Sequence, residues 1–144
     1  MIATRRRRAR QDRPRIRIKR AYAPAVRTDG YRVLIDGLWP RGLTKEAVAV
    51  DAWAKELAPS ARLRQWFGHD PGRWSGFADR YREELRAPVA RRTLADLARR
   101  ATAGPVTIVY GARDEEHNNA VVVRAEVTRR LRPGGPGAPS SPRR

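Results

Sequence analysis

Asp114, His117 and Asn118 follow closely on an apolar run, Val106-Thr107-Ile108-Val109-Tyr110, with only Gly111-Ala112-Arg113 between. A carboxylate three residues from an imidazole can orient the ring and fix its protonation state. With an amide beside them they form a general acid–base pair and an orienting group. A second block has the same form: Val33-Leu34-Ile35 runs into Asp36-Gly37-Leu38-Trp39-Pro40-Arg41-Gly42. Here Arg41 offers a planar guanidinium that clamps a carboxylate or phosphate, and Trp39 offers a flat face for a ring. The catalytic candidates are therefore Asp114, His117 and Asn118, and the ligand-binding candidates are Asp36, Trp39, Arg41 and Arg113. Each also has a plainer role. Asp114 suits the N-cap of a helix in which Glu115 and Glu116 complement the dipole, leaving His117 on the surface. Three acids there would also repel a phosphate from that helix start. Trp39 equally suits a core plug, and Arg41 an internal partner of Asp36. Lys55, His69 and Asp70 are lesser candidates, because Trp66 to Pro71 reads most simply as a corner between helices.

The elements that must position these blocks are legible from periodicity. Arg15 to Arg20 alternates apolar and basic residues, as a strand near a sheet edge does. Thr28-Asp29-Gly30 marks a turn, and Tyr31 to Asp36 reads as a buried strand. Pro40 and Gly42 make the next stretch irregular. Thr44 caps a short helix, and 50–57 leans towards strand. Ser60 opens a turn of helix with Leu63, Trp66 and Phe67. Asp70 and Pro71 are expected to start a helix whose Trp74, Phe77, Ala78, Tyr81 and Leu85 share one face. A further helix carries Leu94, Leu97, Ala98 and Ala101 and stops at Gly104-Pro105. Val106 to Tyr110 is a second central strand. The last helix is expected from near Asp114 to Leu131. Strands separated by helices imply an α/β domain, three-layered, with a mostly parallel sheet flanked by helices.

Composition narrows the chemistry. The 144 residues suffice for one domain, and there is no cysteine, which removes disulfides, thiolate nucleophiles and Cys-based metal sites. There is no P-loop, no complete dinucleotide fingerprint and no Gly-x-Ser-x-Gly elbow. The two histidines, His69 and His117, show no metal-ligand spacing, so neither metal nor cofactor is expected. The net charge of +17 sits mainly at the ends: residues 1–20 hold ten basic side chains against Asp12, and residues 129–144 hold five arginines and no acid. Residues 1–13 and 132–144 read as disordered basic tails around a domain spanning 14–131. Arginine-rich ends are a nucleic-acid signal, but near-exclusive use of arginine over lysine also suits a compositional bias. No stretch is long and apolar enough to cross a membrane, and a cytoplasmic location is the expectation.

The run Lys19-Arg20-Ala21-Tyr22, then Asp29 to Asp36, Leu38-Trp39-Pro40-Arg41-Gly42, Ala58-Pro59-Ser60, Leu63-Arg64, Trp66 to Asp70, and Tyr110 with Asp114 to Ala120, resembles the YeaO-like family (domain of unknown function 488). The resemblance covers about residues 15–131. It implies a small, free-standing cytoplasmic α/β domain with no settled activity. The family pattern has Asp-Arg-Leu-Trp-Pro-Arg-Gly, and here Gly37 stands in the second position, so a positive charge is missing. The expectation is a pocket at the C-terminal ends of the two central strands that takes a small polar or anionic ligand such as a nucleotide or modified base. The rivals are a nucleic-acid-associated or regulatory protein whose residues 1–20 and 129–144 supply affinity, and a scaffold subunit with no ligand. The oligomeric state is open.

Overall fold

Four short parallel strands form the sheet: β1 (Ile16–Arg20), β2 (Tyr31–Leu34), β3 (Ala52–Trp53) and β4 (Val106–Tyr110), in the order β1-β4-β2-β3. The computed structural model describes residues 16–131, and the expected basic ends, 1–13 and 132–144, lie outside them. Among the described residues five α-helices accompany the strands: α1 (Lys45–Val48), α2 (Ala61–Phe67), α3 (Trp74–Glu84), α4 (Pro88–Ala103) and α5 (Asn119–Leu131). No helix among the described residues is long and apolar enough to cross a membrane.

The α/β class and parallel sheet are as the strand and helix order implies. The helices are shared unevenly between the two faces. Side chains alternate along a strand, so Val33, Ile35, Val106, Ile108 and Tyr110 point one way, into a core shared with α2 to α5. Leu34 and Val109 point the other way, where they meet Val48 of α1 and the half-buried Trp39, Leu43 and Trp53. Crossover handedness explains the split. From β2 the chain steps outward to β3 through α1, and from β3 it returns across β2 to β4 through α2, α3 and α4. Right-handed crossovers in opposite directions place their helices on opposite faces.

Expected boundaries moved in several places. Residues 50–57 give two strand residues and then a 3-10 turn, Lys55–Leu57, because Leu57 drops fully buried into the core. Asp70 and Pro71 open a 3-10 turn, Pro71–Arg73, with the Asp70 carboxylate accepting the Gly72 N–H, and the α-helix starts at Trp74. The strand read as reaching Asp36 ends at Leu34, although the Ile35 N–H still donates to the Val109 carbonyl at 3.2 Å. The caps on Thr44 and Ser60 form as expected, accepting from the N–H groups of Ala47 and Leu63.

The thinner face holds a buried charge network. Asp29, almost wholly buried, accepts from Arg32 Nη1 at 2.7 Å, from Lys19 Nζ at 3.0 Å and from the Val26 N–H at 3.0 Å. Arg32 also donates to the carbonyls of Val48 and Ala49, fastening α1 to β2. The Asp29 carbonyl accepts the Thr107 hydroxyl at 2.7 Å. Gly30 beside it has φ +67°, and a Cβ there would lie 2.2 Å from the Pro105 carbonyl oxygen, so β2 enters alongside β4 only over a glycine. Burial pushes the Asp29 carboxyl up, but the Val26 N–H, Lys19 and Arg32 outweigh it and hold the pKa below the ordinary 3.8.

A depressed carboxylate contributes stability at pH values above its unfolded pKa and loses it as pH falls through the folded one. Asp29→Ala leaves Arg32 buried without its partner, and urea denaturation at neutral pH is expected to show a loss of about 3–5 kcal/mol. The same variant should lose stability less steeply than wild type as pH drops below 3.8. An unchanged acid limb would show that the network does not stabilise the fold.

Candidate functional site

Asp36 stands where β2 ends, and it ties three other elements to that end. Its Oδ2 accepts the Gly111 N–H, just past β4, at 2.8 Å. Its Oδ1 accepts Nδ2 of Asn119, the first residue of α5, at 2.9 Å. Its main-chain carbonyl accepts the Trp53 indole N–H from β3 at 2.7 Å. A Cβ on residue 111 would lie 3.0 Å from Asp36 Oδ2, so this carboxylate fits close against the strand end because Gly111 has no side chain. Burial pushes the Asp36 carboxyl above its ordinary value, and the Asn119 amide, the Gly111 N–H and the charge of Arg64 offset this only in part.

Around Asp36 opens a cleft of about 610 Å³. Its position follows from the topology. β2 and β4 are neighbours, but the chain leaving β2 leads outward to β3, whereas α5 leaving β4 packs back over β1 and β4. Diverging connections at adjacent strand ends leave a crevice beyond the carboxyl edge of the sheet, where α/β folds place ligands.

The structure brings five of the seven expected site residues to this cleft: Asp36, Trp39, Arg41, His117 and Asn118. Arg113 is exposed and does not line it, and Asp114 stands behind His117. The pairing of Arg41 with Asp36 is not made, since both carboxylate oxygens are taken by Gly111 and Asn119. Instead the Arg41 carbonyl accepts the Tyr22 hydroxyl, which carries the Tyr22 ring to the rim. Trp39 serves both of its expected roles. Its indole N–H donates to the Leu43 carbonyl and its ring meets Trp53 edge-on at 5.3 Å, while part of its surface still lines the cleft.

Asp114 does not cap the last helix. Its Oδ1 accepts the N–H groups of Glu116 and His117, closing a turn of its own. The helix starts five residues later at Asn119. The buried Asn118 serves its first turn, accepting the Val121 N–H at 3.2 Å and donating to the Asp114 carbonyl at 2.9 Å. The other oxygen of Asp114 lies 3.0 Å from His117 Nδ1. The N–H groups of Glu116 and His117, then the imidazole itself, hold the Asp114 carboxyl below its ordinary pKa. A carboxylate beside Nδ1 favours a proton on that nitrogen and orients the ring. The edge of Trp74 closes on the ring, with centroids 5.4 Å apart.

Polar lining residues without an assigned role in the sequence include Tyr22, Arg64, Gln65 and Asn119. Asn119 ends the second block, and only the turn made by Asp114 brings it to Asp36. Arg64 lies on α2, whose position over β2 no local pattern announces. His69, a lesser candidate, also lines the cleft and has a left-handed backbone with φ +58°. Among the described residues, no group of three or more histidines and acids could hold a metal.

A family model described as an inactive subclade of DUF488, the N3 subclade, matches residues 15–143. The uncharacterised protein YeaO of Escherichia coli K12 is 39% identical over 109 residues, covering 75% of this chain and 92% of that protein. The uncharacterised protein Rv3073c of Mycobacterium tuberculosis H37Rv is 43% identical over 93 residues, or 65% of this chain and 79% of the relative. No solved structure matches.

The raised Asp36 pKa means that the native state takes up a proton more readily than the unfolded chain, so this group's contribution to stability falls as pH rises through its titration. Carbon-detected NMR titration should place the Asp36 midpoint above 3.8. In Asn119→Ala it should rise further, since a hydrogen bond favouring the charged form is gone. A midpoint at or below 3.8 would contradict the buried placement.

Proposed function

This chain belongs to the DUF488 family, and from that premise we propose that its cleft binds a small anionic molecule with a flat ring, such as a nucleotide or modified base, and holds it without turnover. The observation that carries this reading is the make-up of the cleft, which combines the cations Arg41 and Arg64, the imidazoles of His69 and His117, and the aromatic surfaces of Tyr22, Trp39, Phe67 and Phe77. Guanidiniums take the anionic group and aromatic faces take the ring. The volume, about 610 Å³, falls within the range of small-molecule sites.

Binding without turnover has separate support. A general acid or base needs a proton site open to the ligand. Asp36 spends both carboxylate oxygens on Gly111 and Asn119, and the Asn118 side chain is spent on the turn and the start of α5. That leaves His69 and His117, the latter oriented by Asp114, with no companion nucleophile and no metal-holding group among the described residues. Gly37, half-buried at the rim, adds no charge beside the ligand. The inactive character in the description of the matching subclade agrees with this reading.

A thermal-shift screen of the full chain against nucleotides, nucleobases and phosphorylated sugars tests it. A compound present at about 100 times its Kd adds roughly 2.7 kcal/mol, a shift of several degrees. Arg41→Ala and Arg64→Ala are expected to melt within a degree or two of wild type without ligand, yet to lose the shift. Mass spectrometry should recover the bound compound unchanged after long incubation. No stabilising compound in the panel, or conversion of one, would overturn the reading.

A further inference from the structure

A second cleft, about 880 Å³, lies among the C-terminal end of α3, the first half of α4 and the C-terminal end of α5. It shares no lining residue with the first, and along α5 the step from Asn119 to Arg129 is about 15 Å. Six arginines line it, Arg82, Arg86, Arg91, Arg92, Arg129 and Arg130, and the one acid is Glu126.

Internal partners leave part of that charge uncompensated. The buried Glu126 carboxylate faces three guanidiniums, those of Arg129, Arg130 at 3.4 Å and Arg82 at 3.9 Å, and its single charge balances one of them. Arg82 also pairs with the exposed Asp79 at 3.0 Å. Arg86 pairs with Glu83 at 3.2 Å, with both side chains exposed, an arrangement of small net value in water. Arg91 and Arg92 make no ion pair or side-chain hydrogen bond among the described residues, and both are exposed. The start of α4 adds to the field. Pro88 is its first residue, Ala87 offers no side-chain acceptor, and the first turn has no acid, so the positive end of the helix dipole meets the cleft bare. The chain's own ends cannot neutralise it, because residues 1–15 and 132–144 carry Asp12 as their one acidic side chain.

We propose that this cleft binds the phosphodiester backbone of duplex nucleic acid without reading its sequence. Guanidiniums match phosphate oxygens, and six of them exceed what a lone phosphate neutralises. Sites for single strands rely on aromatic side chains that stack on exposed bases, and no aromatic residue lines this cleft. Phosphate contacts position a protein on a duplex and carry no sequence information.

Fluorescence anisotropy of the full chain with a labelled duplex of about 20 base pairs, at salt from about 50 to 200 mM, tests the proposal. Wild type should bind with a steep salt dependence. Arg91→Glu with Arg92→Glu should weaken binding about tenfold or more at low salt and flatten the log–log salt slope by about 2. The charge-matched pair Lys45→Glu with Arg62→Glu lies outside the cleft and should stay within about twofold of wild type. Arg86→Gln with Arg91→Gln repeats the test without charge reversal, should the first pair fail to fold. Equal losses in the cleft and control variants would assign affinity to net charge and the tails and overturn the proposal. So would an absence of duplex binding, or binding to phosphatidylserine vesicles instead of duplex.

Discussion

The Asp36 carboxylate is the point on which the functional edge of this fold depends. One residue just past β2 receives the first N–H after β4, receives the first side chain of α5 and, through its carbonyl, receives the indole of β3. A strand end presents main-chain donors with no partner in the sheet, and a buried donor left unmade costs about 1–3 kcal/mol. Asp36 satisfies Gly111 in this way and aligns the start of α5 with the same oxygen pair. Desolvation opposes the arrangement and raises the pKa, and the hydrogen bonds from Asn119 and Gly111 offset that burial only in part. A carboxylate committed in this manner organises a pocket and is poorly placed to move protons within it.

The rest of the molecule delivers residues to that point. Reversal of the chain direction after β3 gives the crevice its location. It also makes the two faces unequal, with four helices over one and a single helical turn over the other. The thin face cannot seal itself with apolar packing, since its second cluster holds only Ala21, Leu34, Val48 and Val109 as buried members. Asp29, Lys19 and Arg32 stand in its place, and Arg32 reaches the carbonyls that hold α1 down. The two ends of β2 thus rest on charged groups in opposite states, a depressed Asp29 carboxyl held by the Val26 N–H and two cations and a raised Asp36 carboxyl held by neutral donors.

The fold was legible in the sequence wherever period and burial coincide. Val106 to Tyr110 is buried at every position, and the face of Phe77, Ala78 and Tyr81 packs as its helical spacing implies. Boundaries were less legible where side chains compete with the backbone. Asp114 has the composition of a helix cap, yet it satisfies a turn, and the true start waits for Asn118 and Asn119. The polar blocks announced where the cleft opens, because apolar strands that end in Gly and Asp make such edges. Contacts across long sequence separations did not announce themselves. Asp36 meeting Asn119, and Arg64 acting on Asp36 from α2, are products of topology. The basic cleft stayed hidden for the same reason, since its arginines belong to three helices and one helix–helix link and read singly as solvated faces.

The two clefts therefore differ in chemistry as well as place, one mixing aromatics, imidazoles and two guanidiniums around a fixed acid, the other almost purely cationic. The first rests wholly on the Asp36 bridge, and amide hydrogen exchange of Gly111 in wild type and in Asp36→Ala tests that bridge most directly. If the carboxylate clamps the strand end, the Gly111 N–H exchanges as slowly as the amides of β4 in wild type and much faster in the variant, while β4 stays protected. A Gly111 amide that exchanges in wild type as freely as an exposed loop, beside a protected β4, would contradict the account.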